Sequence, residues 1–567
     1  LNKDIKYRII LGIGLVLVIF PLTIHIVSDY RLRGSSSQFV IDGYGNKLYT
    51  KYYPSKWHGV EEYVPGVMLF HGMGEDQNSL RIYTHFLRKF GFHVFTVDFS
   101  GHGRSSGVIP SGELGADILA HQVNRARETF KLMAGLSDHD LFMIGHSMGA
   151  RAILKATQIA SPVNGCVLIG SAIDVDNVSN DSWINELGPD NPDSNMLILT
   201  GAWDDVQPPQ NALRLYQKLT GNDTLSDLQD AYRTPNGNRI QIYVFKAMTH
   251  THESMSIRMA YAVSDWIEDR YFYDGTIRPA DSVLKINFID FYIWFSILEI
   301  VGFFLLLVYG QKTIKYEQEK RAEIRNNNEQ KNDLINPKHY YLFYIYKLGL
   351  WFGAFGIALL LGIILIYLPI SIPYFSLIFI CPIVGYGVVN ILLYRFGKMP
   401  RMTFKWKPEI RGSFKNLNVW DILFGLAAFG LITVAFSYLI NNLVYHIFPL
   451  NIRLAWLAIS TILGTLGFYI FQFEMDLLRK AYPNQNKYTV LNNLVFVLPF
   501  VIGALVILFS GRIIFFIDAI HDLIIIGLVI LVGNLLQQIW KKPILTAFMQ
   551  SFLLFFLLLP RGQMTFM

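Results

Sequence analysis

The chain has 567 residues, of which 52% are hydrophobic, 14% aromatic and only 16% charged, with a mean hydropathy of +0.33. This balance excludes a single soluble domain and points to a membrane protein. The formal net charge of +6 does not indicate a nucleic-acid binder, because no basic patch lies beside stacking aromatics and the basic residues fall in linkers between apolar runs.

The first apolar run, Ile9 to Val27, is long enough to cross a bilayer and follows Lys3, Lys6 and Arg8. A cleaved signal peptide is the competing reading. No small-residue cleavage site precedes Tyr30 and Arg31, which favours a retained anchor.

An apolar strand beginning near Val64 ends in His71-Gly72-Met73-Gly74, a loop able to aim backbone N–H groups at a developing oxyanion. A strand from His93 ends at Asp98 and is followed by Gly101-His102-Gly103-Arg104-Ser105. The short apolar run up to Ile144 leads into Gly145-His146-Ser147-Met148-Gly149, and Ala150 to Ile159 has helical spacing. Ser147 therefore stands at a strand-to-helix turn, where Gly-x-Ser-x-Gly holds a serine in strained backbone and the glycines keep neighbouring side chains away. Taken alone, the pentapeptide reads equally well as a glycine-rich turn.

A hydroxyl is a poor nucleophile at neutral pH, so a nucleophilic serine needs a base, and the base needs an orienting carboxylate. The strand at Met196–Leu199 runs into a turn with Asp204 and Asp205, and a later strand runs into a loop with His250 and His252. A lone Asp in a turn or a lone loop histidine has an ordinary structural explanation, and His102 and His146 read as structural or pocket-lining. The order decides: oxyanion loop, serine turn, acid turn and histidine loop arrive in sequence, each after a strand. Position after the strand favours His250 over His252.

Residues 39–272, less than half of the chain, resemble the α/β-hydrolase superfamily, and within it the branch of monoacylglycerol lipases, lysophospholipases and serine aminopeptidase-type enzymes. The His71-Gly72 loop, the turn from Asp98 to Ser105 and Gly145-His146-Ser147-Met148-Gly149 carry the resemblance. It implies an α/β-hydrolase domain with a mostly parallel sheet and a triad in the order serine, acid, histidine. Ser147 is then the nucleophile and His250 the base. The family spacing of Gly-x-x-Asp before a proline fits Gly201, Asp204 and Pro208, so Asp204 is favoured, with Asp205 and His252 as runners-up. Gly72, Met73 and Met148 are the expected oxyanion donors. No cofactor is implied, and no metal-ligand spacing appears. Only about 25 residues separate the strands near Cys166 and Met196, where many relatives insert a cap, so a small cap and an open site are expected. The implied reaction is hydrolysis of a carboxylic ester, lipid-like in the manner of a monoacylglycerol or lysophospholipid. A serine peptidase, or a transporter or assembly protein with a hydrolase-like ligand-binding domain, are the alternatives.

Further apolar runs follow near 288–309, 343–368, 374–394, 419–439, 454–473, 491–509, 514–536 and 543–559, which with the first make about nine spans. Basic linkers recur after every second run, around Lys312 to Arg325, Arg395 to Arg411, Arg479 to Lys487, and at Lys541 and Lys542, while the alternate linkers are nearly bare. The positive-inside rule makes the basic side cytoplasmic and turns the hydrolase outward, with the carboxyl terminus also outside. The expected organisation is an amino-terminal transmembrane anchor in 1–30, the hydrolase in 35–273, a second transmembrane helix in 286–310, a basic cytoplasmic linker in 311–339 and an all-α transmembrane bundle of about seven helices in 340–567. Expected partners are the lipid bilayer and a small-molecule or lipid ester, without nucleic acid.

Charges within the spans are costly. Glu299, and Asp518, His521 and Asp522 on one helix face, read as caps or interhelical pairs, and Asp421, Glu474 and Asp476 as groups snorkelling to the cytoplasmic interface. Cys166 and Cys381, in a core strand and a span, are not expected to pair. Asn177, Asn180 and Asn222 head N-x-S/T sequons.

Overall fold

The computed structural model of the chain describes residues 3–31, 35–55, 64–110, 112–176, 182–190, 193–204, 206–221, 239–271, 292–325, 340–366, 372–395, 419, 423, 452–481, 486–510, 513–540, 542–558 and 564–565. Asp205, Asn177, Asn180, Asn222, Asp421 and nearly all of the run at 419–439 lie outside the described residues, as do the side chains of Asp518 and His521.

After a first helix α1 (Lys3–Arg31), an eight-stranded sheet is laid down with helices between its strands. The strands are β1 (Ser36–Ile41), β2 (Lys47–Tyr53), β3 (Gly66–Phe70), β4 (His93–Val97), β5 (Leu141–His146), β6 (Gly165–Ile169), β7 (Asn195–Gly201) and β8 (Ile240–Phe245). Their spatial order is β1-β2-β4-β3-β5-β6-β7-β8. The pairs β1/β2 and β2/β4 are antiparallel, and every pair from β4 to β8 is parallel. The parallel strands explain their own composition: β3, β5 and β6 are buried at every position, because helices cover both faces and no alternation is required. β1 alternates and lies at the sheet edge.

The intervening helices are α2 (Arg81–Lys89), α3 (Gly112–Ala134), α4 (Met148–Ile159), α5 (Pro209–Thr220), α6 (His250–Ser254) and α7 (Ile257–Tyr271). One core face gathers Phe95, Phe130, Met143, Ile153 and Leu168, and the other Leu69, Tyr83, Ile144, Val167 and Trp266. Each strand-to-helix loop therefore emerges at the carboxyl edge of the parallel strands, where residues distant in sequence become neighbours.

The remaining described helices are α8 (Tyr292–Arg325), α9 (Tyr340–Ile366), α10 (Tyr374–Arg395), α11 (Ile452–Ala481), α12 (Asn486–Phe509), α13 (Ile513–Trp540) and α14 (Pro543–Leu558). Together with α1 they coincide with every apolar run read from the sequence except the one at 419–439. Ile5–Ile24, Ile297–Ile314, Leu454–Arg479, Lys487–Phe509 and Asp522–Trp540 are long and apolar enough to cross a membrane.

Helices α1 and α8 pack against each other in antiparallel register: Tyr7 meets Tyr309, Gly14 meets Gly302 and Phe20 meets Phe295. A Cβ on Gly302 would lie 2.8 Å from the Gly14 carbonyl oxygen, so the glycines let the two backbones touch.

The core of the later helices corrects one expectation. Glu474 does not snorkel to an interface: it is 1% exposed and ion-paired with Lys347, which is fully buried. Lys347 also donates to Tyr386 Oη at 2.9 Å and Asn390 Oδ1 at 2.7 Å. The four residues come from α9, α10 and α11, so no single helix pattern reveals them. Nearby helices add Gln472 to Gln550 at 2.8 Å and Thr546 to Gln537 at 2.9 Å, polar links that apolar lipid would not compete for.

Candidate active site

Ser147 is one of two non-glycine residues with positive φ among those described, at φ 52° and ψ −113°, between the end of β5 and the first turn of α4. Its N–H donates to Ile169 O at 2.8 Å and its carbonyl accepts from Ala172 and Arg151, which pins the turn to the end of β6. The flanking glycines are required by space. A Cβ at Gly145 would lie 2.4 Å from the Gly149 carbonyl carbon, and one at Gly149 would lie 2.2 Å from Phe70 O. The second strained residue, Ala247 at φ 55°, lies in the turn between β8 and α6 that presents His250. Among the described non-glycine residues, positive φ thus occurs in the two loops that aim the candidate nucleophile and base.

His250 opens α6, buried, with Nδ1 2.7 Å from Asp204 Oδ2. Asp204 is 3% exposed, and its Oδ1 accepts the N–H groups of Val206 at 3.0 Å and Gln207 at 2.8 Å, which fixes the carboxylate. The turn then runs into α5 through Pro208 and Pro209, whose fixed φ suits a helix start, and α5 closes on Gly221 at φ 64°. His252, two residues after His250, is exposed and bonds Thr249 Oγ1 at 3.0 Å. Burial opposes charge on His250, but its bond to Asp204 and the nearby Glu253 outweigh that and hold its pKa above the usual imidazole range.

The His71-Gly72-Met73-Gly74 loop is braced at each end. His71 is neutral, its pKa lowered by burial; its Nδ1–H donates to Gly72 O and its Nε2 accepts from Phe99 N–H at 3.1 Å. Gly74 N–H donates to His102 Nε2 at 3.3 Å. Gly72 N–H donates to Glu75 Oε2 at 2.8 Å, so of the three expected oxyanion donors Gly72 is already committed. Met148 supplies the first amide of α4, which a helix leaves without an intrahelical acceptor. Met73 is 66% exposed, and so is Trp203 at 65%, immediately before Asp204.

Two carboxylates at this site, Glu75 and Glu253, carry roles that the sequence reading does not assign, and both face His146, which it reads as structural or pocket-lining. His146 is not a passive lining group: its Nδ1 lies 3.2 Å from Glu75 Oε2 and its Nε2 lies 3.6 Å from Glu253 Oε2. Glu253 is fully buried and accepts Gly201 N–H at 2.6 Å. Its spacing of three from His250 at a helix start was a legible signal that both would share a face. Glu75 follows the glycine loop directly and carried no such signal. His146, His250 and Glu253 each bring a ligand-type atom within 4.8 Å of the others. Both histidines already face acceptors, Asp204 and Glu75, so these residues fit shared protons better than a cation.

Residues 64–191 match the serine aminopeptidase family. The strand order and the serine turn define the architecture. The domain has the α/β-hydrolase fold. Similar solved structures include a protein of unknown function from Agrobacterium tumefaciens grouped with the alpha/beta hydrolases (17% identity over 43% of this chain and 100% of that one, TM-score 0.33). An esterase from Pyrococcus furiosus is 15% identical over 43% of this chain and 94% of its own (TM-score 0.32), and a monoacylglycerol lipase from Paleococcus ferrophilus is 16% identical over 39% and 99% (TM-score 0.27). No curated protein matches the chain. The family match, residues 64–191, lies within the part of the chain that forms the eight-stranded sheet.

Proposed function

We propose that the protein is a membrane-anchored serine hydrolase that cleaves carboxylic esters of lipid-like substrates through an acyl-enzyme. The single observation that carries this reading is the 2.7 Å contact between His250 Nδ1 and a doubly anchored Asp204, at the same sheet edge as a serine held at positive φ. His250, its Nδ1–H given to Asp204, takes the Ser147 hydroxyl proton on Nε2 as Oγ attacks the ester carbonyl carbon. The amides of Met73 and Met148 receive the oxyanion, since Gly72 N–H serves Glu75. Collapse expels the alcohol, protonated by His250, and a water activated by the same histidine then releases the acid and restores Ser147.

The exposed Met73 and Trp203 beside the site offer apolar surface to an acyl chain, which favours a lipid ester. The amino-terminal anchor, the hydrolase from 35 to 273 and the following bundle would hold the site at the outer membrane surface, the side assigned by the basic linkers. The matched family's description favours a second reading, cleavage of an amide bond next to a free amino group.

The test uses the full chain in detergent. A fluorophosphonate should label the wild type and leave Ser147→Ala unlabelled, and turnover should fall in the order monoacylglycerol or lysophospholipid, short p-nitrophenyl ester, aminoacyl amide. Labelling that persists in Ser147→Ala would remove the nucleophile, and preference for amides would replace the esterase with the peptidase.

A further inference from the structure

His250 faces more charge than one orienting carboxylate supplies. Asp204 reaches its Nδ1 from the β7–α5 turn at 2.7 Å, and Glu253 Oε2 reaches the same nitrogen from α6 at 3.5 Å. Two carboxylates on one imidazole favour the imidazolium, and an imidazolium cannot accept the serine proton. A third group stands opposite: the His146 ring, on β5, lies 4.7 Å from the His250 ring centre to centre.

The surroundings of His146 fix its protonation. Nδ1 faces Glu75 Oε2 at 3.2 Å, and Nε2 faces the His250 carbonyl oxygen at 3.2 Å and Glu253 Oε2 at 3.6 Å. Each ring nitrogen thus points at an acceptor, and only the doubly protonated ring donates on both sides. Among the described residues beside the cluster, His71 on the β3 loop is neutral, its Nε2 accepting from Phe99 N–H, and Tyr83 on α2 donates its hydroxyl to the Glu253 carbonyl at 2.7 Å.

We propose that His146 is an imidazolium at neutral pH and a positioning residue, whose buried charge, held by Glu75, offsets Glu253 and so sets the pH at which His250 becomes a free base. This rests on His250 being the base of the proposed hydrolase. Proton affinities agree with the geometry. Burial opposes charge on His146, yet Glu75 and Glu253 outweigh it and push its pKa up to about 10. Burial likewise resists ionisation of Glu75, and His146 overcomes it, bringing that carboxyl down to about 2. Glu253 is lowered by the two histidines against its own burial. Space constrains the arrangement too. Gly170, at φ 49°, lies where a Cβ would come within 3.0 Å of His250 Cε1 and would overlap Glu253 Oε2.

Removing the positive charge raises the pKa of His250, and removing the Glu253 charge lowers it. In the full chain, the acid limb of kcat/KM on a p-nitrophenyl ester should move to higher pH in His146→Gln and to lower pH in Glu253→Gln, each by about one pH unit. Opposite displacements are a result that simple loosening of the site cannot produce. In ¹⁵N-histidine-labelled wild type, the His146 resonances, assigned by their absence from His146→Gln, should report both nitrogens protonated at pH 8. A neutral His146 at pH 8, or two variants that lose rate with the acid limb unmoved, would overturn the proposal. Failure of the underlying reading looks different: His250→Ala would retain turnover.

Discussion

Ser147→Gly should make the hydrolase more stable while abolishing its chemistry. At φ 52° and ψ −113° a side chain costs about 1–3 kcal/mol, and glycine adopts this backbone without that strain. Glycine gives back roughly 0.4–1 kcal/mol through the greater freedom of the unfolded chain. The net gain is about 1 kcal/mol, which for a domain of this size raises the melting midpoint by roughly 2–4 °C. Ser147→Ala keeps Cβ and therefore the strain, so it serves as the control that removes the hydroxyl alone. The assay is intrinsic-fluorescence melting of the full chain in one detergent at one scan rate, with fluorophosphonate labelling beside it. Both variants should fail to label, and only the glycine variant should melt above the wild type. If Ser147→Gly melts at or below Ser147→Ala, the turn stores no strain and the reasoning is refuted.

Three other outcomes are expected. His250→Ala should lower turnover by roughly 10⁴-fold or more, whereas His252→Ala, whose ring bonds Thr249 away from Asp204, should stay within a few-fold of wild type; the same ester assay separates them. The Glu75 and His146 pair makes stability pH-dependent with a defined sign. Glu75, depressed from 4.5 to about 2, contributes fully above pH 4.5 and loses its contribution as pH falls toward 2. His146, raised from 6.5 to about 10, contributes fully below pH 6.5 and loses it as pH rises toward 10. Wild-type melting midpoints should therefore decline from pH 6.5 to 10 more steeply than those of His146→Gln. Lys347→Met should destabilise the helical region by about 3–5 kcal/mol, because Glu474 is left buried without its cation, and adding Glu474→Leu should recover most of the loss; a double variant as unstable as the single one would refute the pairing, read by detergent-solution melting.

The sequence carried the parts of this fold that depend on short range. Buried parallel strands are apolar runs whatever lies beside them, and a serine framed by Gly145 and Gly149 announces a turn in which backbones nearly touch. The Asp204 and Gly201 spacing likewise belongs to one turn. The hairpin of β1 and β2 leaves little trace in the sequence, since its alternation is weak, and strand neighbours such as β4 and β3 are set by crossovers that no local pattern encodes. The hidden charges failed for the same reason. Lys347 stands in an apolar run as an isolated lysine, and its meaning appears only when Glu474 arrives from a helix more than a hundred residues later. Glu75 and Glu253 are separated by most of the hydrolase, and His146, at the end of β5, meets both only in the folded chain.

The clasp between α1 and α8 has a mechanical consequence. These helices precede and follow the α/β fold, and their antiparallel contact from Tyr7 with Tyr309 to Phe20 with Phe295 makes that whole fold a loop fastened at its base. A single proteolytic nick between α7 and α8 would leave the hydrolase joined to α1, and α1 would still be gripped by α8 through Gly14 and Gly302. The fold hangs from two strands of rope that are tied to each other, and separating it from the helix pair requires both to be cut.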